Sequence, residues 1–451
     1  MNRHRMPLAG GVLLFASALC AAEGEWSRFR GESGAGLSDA AAVPVIWTDK
    51  DYNWKVSLPG TGHSSPVVWG ERIYLMCGDA TTAARTVVCL HATDGRILWR
   101  RDFESQPFRQ HSANSYATAS PAADAAGVVV TWATPDEVVL RALSRDGEDL
   151  WCRSLGPYVG KHGSGVSPII YHDLVVLAND QEDPHAYPEI YGRLGSPVAS
   201  GKSFLIAVDR STGETRWRVE RRTSLSAYST PCLYRRSDGT DELAFTSTSH
   251  GITGLDPATG QVRWELADVF RDRCVGSPVF GGGLVIGAYG YGARGTRCVA
   301  VRPGAIEPVR PPTLVYEVTK SVPLVPTPIV RGDRLFLWCD DGVVTCLNVA
   351  NGEVIWRERA GGSFFGSPVC VRDRLYCIAK DGEVVVLAAG DKFEVLARVP
   401  LGEPSFATPT VAGGVMYLRT HSRLFSLGGK RSLPAARDEG PARLESTGDP
   451  T

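Results

Sequence analysis

An excess of either charge is missing from this 451-residue chain, where 48 Lys and Arg stand against 49 Asp and Glu. A net charge of -1 argues against a broad polyanion-binding surface, because nucleic-acid binders concentrate Lys and Arg to release counterions. Long hydrophobic runs are lacking too. The apolar stretch from Leu8 to Leu19 is too short to span a bilayer comfortably. No two cysteines are adjacent and no Cys-x-x-Cys occurs, which leaves no zinc knuckle and no c-type haem attachment. A Gly-rich phosphate loop, a Gly-x-Ser-x-Gly elbow and a His-Glu-x-x-His helix are also missing. Kinase and hydrolase readings therefore have no support. Glycine and proline, by contrast, are plentiful at 49 and 29 residues, which suits many short strands joined by tight turns.

The first 22 residues read as an export signal. Arg3 and Arg5 precede the apolar stretch, and Cys20-Ala21-Ala22 offers a small-residue cleavage site. Cys20 raises the alternative of a lipid anchor, but the bulky Leu19 stands where a small residue is wanted, so cleavage after Ala22 is expected. Export would permit disulfides. Cys339/Cys346 and Cys370/Cys377 fall on adjacent predicted strands, yet most of the ten later cysteines are expected to be small buried hydrophobes. Residues 23–46 form a lead-in, and residues 430–451, rich in Pro, Arg, Asp and Glu, are expected to be a disordered tail.

Internal repetition organises what lies between. A Ser/Thr-Pro pair followed by alternating apolar residues recurs eight times, at Ser65, Ser120, Ser167, Thr230, Ser277, Thr327, Ser367 and Thr408. Each begins a strand, a position that tolerates the missing proline N–H. Further along, an Asp, Thr or Asn before Gly is followed four residues after the glycine by Trp99, Trp151, Trp217, Trp264 or Trp356. The glycine suits the positive φ of a tight hairpin, and the tryptophan offers a flat face to a neighbour. In the two deviating repeats Tyr316 and Ala397 stand before Thr327 and Thr408 at the offset that Trp356 has before Ser367, and these repeats are expected to form a softer sector.

The eighth repeat stops at Gly428-Gly429 without an outer strand, while Asn53-Trp54-Lys55-Val56 is an outer strand without its blade. Joining the two halves closes a ring. The fold expected over residues 47–429 is therefore an all-β, eight-bladed propeller of four-stranded antiparallel sheets, its last blade completed by the N-terminal strand at Trp54.

The stretch Ala207-Val208-Asp209-Arg210-Ser211-Thr212-Gly213-Glu214-Thr215-Arg216-Trp217 resembles the tryptophan-docking motif of pyrroloquinoline quinone (PQQ)-type propeller repeats. The resemblance extends over residues 47–428, and Trp26-Ser27-Arg28-Phe29-Arg30-Gly31, with Gly34 and Gly36, is similar to the lead-in of exported PQQ-binding-like repeat proteins. It implies either of two roles. One is a protein-binding scaffold of the cell envelope, as in the outer-membrane assembly factor BamB. The other is a quinoprotein oxidoreductase holding PQQ over calcium. The vicinal disulfide common in the family's alcohol dehydrogenases is missing, so the scaffold is the leading expectation, with no cofactor and no metal site. A monomer with a protein partner is expected. A carbohydrate- or peptide-binding propeller is the third reading.

Candidate ligand residues lie where one repeat's outer strand feeds the next repeat. They are His63, His111, Asn114, Tyr116, His162, Arg273 and Lys320, expected to gather around one mouth of the central channel. The longest insertion, Asn179 to Ser203, carries Asp180, Glu182, Asp183, His185 and Glu189, and is expected to be a solvated acidic loop.

Overall fold

The computed structural model describes residues 24–186, 201–291, 295–305 and 309–429. The expected signal segment, the tail and Glu189 lie outside the described residues. Eight sheets follow one another in the chain, numbered here as blades 1 to 8: Val67–Phe103, Ala122–Ser154, Ile169–Arg221, Cys232–Leu266, Val279–Val318, Ile329–Arg359, Val369–Pro400 and Thr410–Gly428. Blade 1 is typical, with an inner strand Val67–Trp69, then Arg72–Gly78, Arg85–His91 and an outer strand Ile97–Phe103. Strands such as Arg72–Gly78 are buried along almost their whole length, while Ile97–Phe103 alternates exposed and half-buried positions. That difference has a simple cause. The middle strands are covered on both faces by neighbouring blades, whereas the outer strands meet water.

The Ser/Thr-Pro pairs do more than start strands. Proline has no N–H, so the preceding Ser or Thr carries the first donor of each inner strand, and a buried donor needs a partner. Each such N–H donates to the hydroxyl of the corresponding residue in the next blade, beginning with Ser65 to Ser120 at 2.9 Å. The chain of bonds continues through Ser167, Thr230, Ser277, Thr327, Ser367 and Thr408, at 2.9–3.3 Å. Thr408 N–H then donates to Ser65 Oγ at 3.0 Å, which closes the circle. Eight equivalent bonds lace the blades around the axis.

The outer strands dock as their pattern suggests. The indoles of Trp54, Trp99, Trp151, Trp217 and Trp356 donate to backbone carbonyls in the next blade, for example Trp217 to Pro257 at 3.0 Å. Each of the first four rings lies over the turn glycine of that blade. A Cβ on Gly260 would stand 2.7 Å from the Trp217 ring, and the φ of +74° there already favours glycine. Tyr316 docks in the same manner, its hydroxyl donating to Val349 at 2.9 Å and its ring covering Gly352. Trp264 differs, since its indole donates at 2.5 Å to the buried Glu242 of its own blade.

The last blade combines Thr410–Ala412, Val415–Arg419 and Arg423–Gly428 with the N-terminal Tyr52–Ser57. Trp54 pairs with Ser426 and Lys55 with Phe425 in antiparallel register. Closure by the N-terminal strand is thus present.

The lead-in has a further role that its sequence did not disclose. Trp26 bridges Val68 of blade 1, and Leu37–Ser38 pairs in parallel with Cys370–Val371 of blade 7. Between them the chain crosses the propeller axis. Arg30 donates to the carbonyls of Pro368 at 2.6 Å and Pro328 at 2.8 Å, and Arg28 to that of Pro231. Burial lowers the two guanidinium pKa values only to about 9 for Arg30 and about 10 for Arg28, so both stay charged at neutral pH. Their multiple carbonyl partners compensate the lost hydration.

None of the ten cysteines among the described residues is joined to another; nine are buried and Cys152 is exposed. The cross-strand bridges considered at Cys339/Cys346 and Cys370/Cys377 are not formed. Cys370 instead faces Leu375, and Cys377 faces Val385.

Candidate functional site

The lead-in closes the channel on the side of the hairpin turns and leaves a cavity of about 560 Å³ open on the other side. Phe29 forms its floor, and the eight laced Ser and Thr residues form a belt around its wall. Above the belt the loops between blades make the mouth.

Five of the seven sequence candidates reach this cavity: His63, His111, Asn114, His162 and Arg273 line it. Tyr116 does not. Its ring packs against Phe108 with centroids 5.2 Å apart, and its hydroxyl donates to the Phe108 carbonyl at 2.9 Å. Lys320 is exposed on the loop after blade 5 and is not among the lining residues. Aromatic and acidic members of the wall carried no local signal. Tyr228, Tyr291, Phe365, Phe406 and Asp340 line the cavity because blades distant in sequence converge there.

The mouth has two unlike halves. On the side of blades 7, 8 and 1, His63 packs 4.6 Å from Phe406 and 5.5 Å from His421, while Phe365 meets Phe406 edge-on at 5.0 Å. On the side of blades 2 to 5, His111 and His162 lie 4.8 Å apart, with Tyr228 edge-on to His162. Burial holds His63 and His162 neutral by lowering each to about 3. Neighbouring cations act in the same direction, Arg419 on His63 and Arg273 on His162.

The insertion beginning at Asn179 corrects the expectation of a solvated acidic loop. Asp180 and Glu182 are buried, and Glu182 pairs with Arg273 while accepting from Ser226 Oγ at 3.2 Å and Lys161 N–H at 2.9 Å. A carboxylate in such a place requires a paired cation, and Arg273, 91 residues later, supplies it. Burial also raises Asp180 above the ordinary carboxylate range, against the attraction of Arg221. His185 remains exposed.

The polar groups of the cavity are mostly committed to the frame. Asn114 Nδ2 donates to the carbonyls of His162 and Ser164, and its Oδ1 accepts the Ser115 N–H. Asp340 accepts the N–H groups of Leu324 and Val325 at 2.7 and 3.2 Å. Two buried atoms have no partner: Arg273 Nε and His162 Nε2. A PQQ–calcium pair needs several oxygen ligands together and cations for the quinone carboxylates. Among the described residues no three of His, Cys, Asp and Glu come together as metal ligands, and the lining guanidinium is already paired. These residues do not fit that group.

The fold has close parallels among solved structures. BamB from Moraxella catarrhalis superposes with a TM-score of 0.56 at 15% identity, covering 84% of this chain and 98% of that one. The quinohemoprotein alcohol dehydrogenase from Comamonas testosteroni gives 0.62 at 13% identity, covering 94% and 82%. A europium-containing methanol dehydrogenase gives 0.50 at 13% identity, covering 90% and 98%. At these identities the likeness concerns the fold alone. No curated protein matches the chain by sequence. The family described as outer membrane protein assembly factor BamB matches residues 48–194, 185–319 and 313–393, most of the propeller. The chain therefore belongs to that family of PQQ-type repeat propellers.

Proposed function

We propose that this chain is an exported, non-catalytic propeller that serves as a protein-binding scaffold in the periplasm or cell envelope. The observation that carries this reading is a set of exposed apolar side chains at one position of the outer strand in blade 1 and blades 4 to 7. Ile97, Val262, Leu314, Val354 and Val395 stand two residues before the docking position of blade 1 and blades 4 to 7, with Ile355 beside Val354. The equivalent positions in blades 2 and 3 are Asp149 and Thr215. Apolar groups recurring at this rim position, which is polar in blades 2 and 3, suit a protein partner. The cavity offers a consistent contrast, because its acids and bases are neutral or already bonded to the frame. Membership of the family described as outer membrane protein assembly factor BamB supports the same assignment. No helix among the described residues is long and apolar enough to cross a membrane. In this reading residues 1–22 direct export and the mature chain, a monomer, begins after Ala22.

Photo-crosslinking in intact cells tests the proposal. A crosslinking amino acid at Val354 is expected to yield one discrete protein adduct in the envelope fraction, and the same group at Thr215 none. Identical outcomes at the two residues would overturn the assignment of this rim position.

A further inference from the structure

The belt at the base of the cavity has an unused capacity. Each of its eight hydroxyl oxygens accepts one backbone N–H. Among the described residues none of those eight hydroxyls has an acceptor for its own proton. Eight O–H donors therefore surround the axis just above Phe29. A wholly apolar occupant would leave them unsatisfied, and an occupant rich in acceptors would not.

Charge narrows the class of ligand. The Arg273 cation is paired with Glu182, and Lys380, 3.7 Å over the Phe365 ring, stands beside Asp340. His63 and His162 carry no charge at neutral pH. Among the cavity's lining residues there is thus no surplus cation of the kind a carboxylate or phosphate ligand requires. At the mouth, Phe365 and Phe406 are half-buried, and their apolar faces border the same cavity. Two buried polar atoms beside it, Arg273 Nε and His162 Nε2, lack partners. The cavity volume of about 560 Å³ falls in the range of sites for small ligands.

We propose that the central cavity binds a neutral pyranose sugar, one or two rings long. The ring hydroxyls accept from the serine and threonine belt, and the apolar C–H face lies on the Phe365–Phe406 pair. This site is separate from the outer rim assigned to a protein partner and does not rest on that assignment.

Saturation-transfer NMR and calorimetry on the full chain test it, with maltose, cellobiose and N,N′-diacetylchitobiose as probes and glucuronate as the anionic control. At least one of the neutral sugars is expected to bind with a Kd below about 1 mM. Its C–H protons are expected to receive saturation from aromatic resonances. Phe406→Ala and Phe365→Ala are each expected to weaken binding roughly tenfold. Melting temperature serves as the folding check, and if one variant fails to fold the other carries the test. No binding of any neutral sugar at millimolar concentration would overturn the proposal. So would affinity that survives truncation in a folded variant, or glucuronate binding as tightly as its neutral counterparts.

Discussion

The seam between blades 5 and 6 and the seam between blades 7 and 8 both lack the docking tryptophan, yet they are built differently. At the first, Tyr316 reaches the Val349 carbonyl and covers Gly352, so every contact of a docked tryptophan is made by a smaller ring. At the second, Ala397 has neither a ring nor a donor. Its place belongs to a core shared with Val43 and Trp47, which the N-terminal lead-in brings to the edge of the closing blade. The comparison teaches that the requirement is a flat surface with a terminal donor above a glycine, and that tryptophan is one way to meet it. Where the ring closes, a segment from the far end of the chain fills the gap.

The most damaging way to break this comparison is to remove the closing strand. Deleting residues 52–57 takes away the partner of Arg423–Gly428 and is expected to cost about 5–10 kcal/mol, most of an ordinary domain's stability. Circular dichroism should show loss of a single cooperative melt. Truncating a docked ring is expected to cost less. Trp217→Ala should lose about 3–5 kcal/mol in denaturant unfolding, and Tyr316→Ala about 3 kcal/mol. A Tyr316→Ala variant as stable as the parent would mean that the tyrosine does not dock. Restoring the motif at the other seam has the opposite sign from intuition. Because Val43 and Trp47 already share the Ala397 core, Ala397→Trp is expected to destabilise by about 1–3 kcal/mol through overpacking. Tyr316→Phe keeps the ring and removes only the bond to Val349, for a loss of about 1 kcal/mol.

The smallest effect concerns pH at the closing side of the cavity. Burial lowers the folded-state pKa of His63 to about 3, below the unfolded value near 6.5. The unfolded chain therefore binds the proton more readily, and stability falls as pH drops through the window from about 6.5 to about 3. Between pH 7 and pH 6 the loss from this residue is about 0.7 kcal/mol. His63→Gln should flatten that part of the stability profile, as measured by urea unfolding at each pH.

Much of the ring was legible because its rules are local. A turn glycine and the tryptophan four residues beyond it leave a fixed spacing, and the unfinished eighth repeat pointed to Trp54 as its missing strand. The lacing role of Ser65 and its seven counterparts was hidden, since a Ser-Pro pair reads equally well as a strand start. Arg30 was hidden for another reason. Its partners Pro328 and Pro368 lie about three hundred residues away, and no periodic pattern records a carbonyl aimed at a channel axis. Glu182 illustrates the same limit, because a buried acid is recognisable only with Arg273 in view. Of the mouth residues, His63, His111 and His162 were visible as a recurrence in successive repeats. Phe365 and Phe406 were not, because a half-buried aromatic in a propeller looks like core until the cavity beside it is seen.

The proposal at stake is a propeller that works as a binding frame without quinone chemistry. Titrating the purified protein with PQQ and calcium, with a dye as electron acceptor and alcohols or sugars as donors, tests it most directly. The account predicts no change in quinone absorbance at high micromolar cofactor and no reduction of the dye. Saturable quinone binding followed by dye reduction would contradict it.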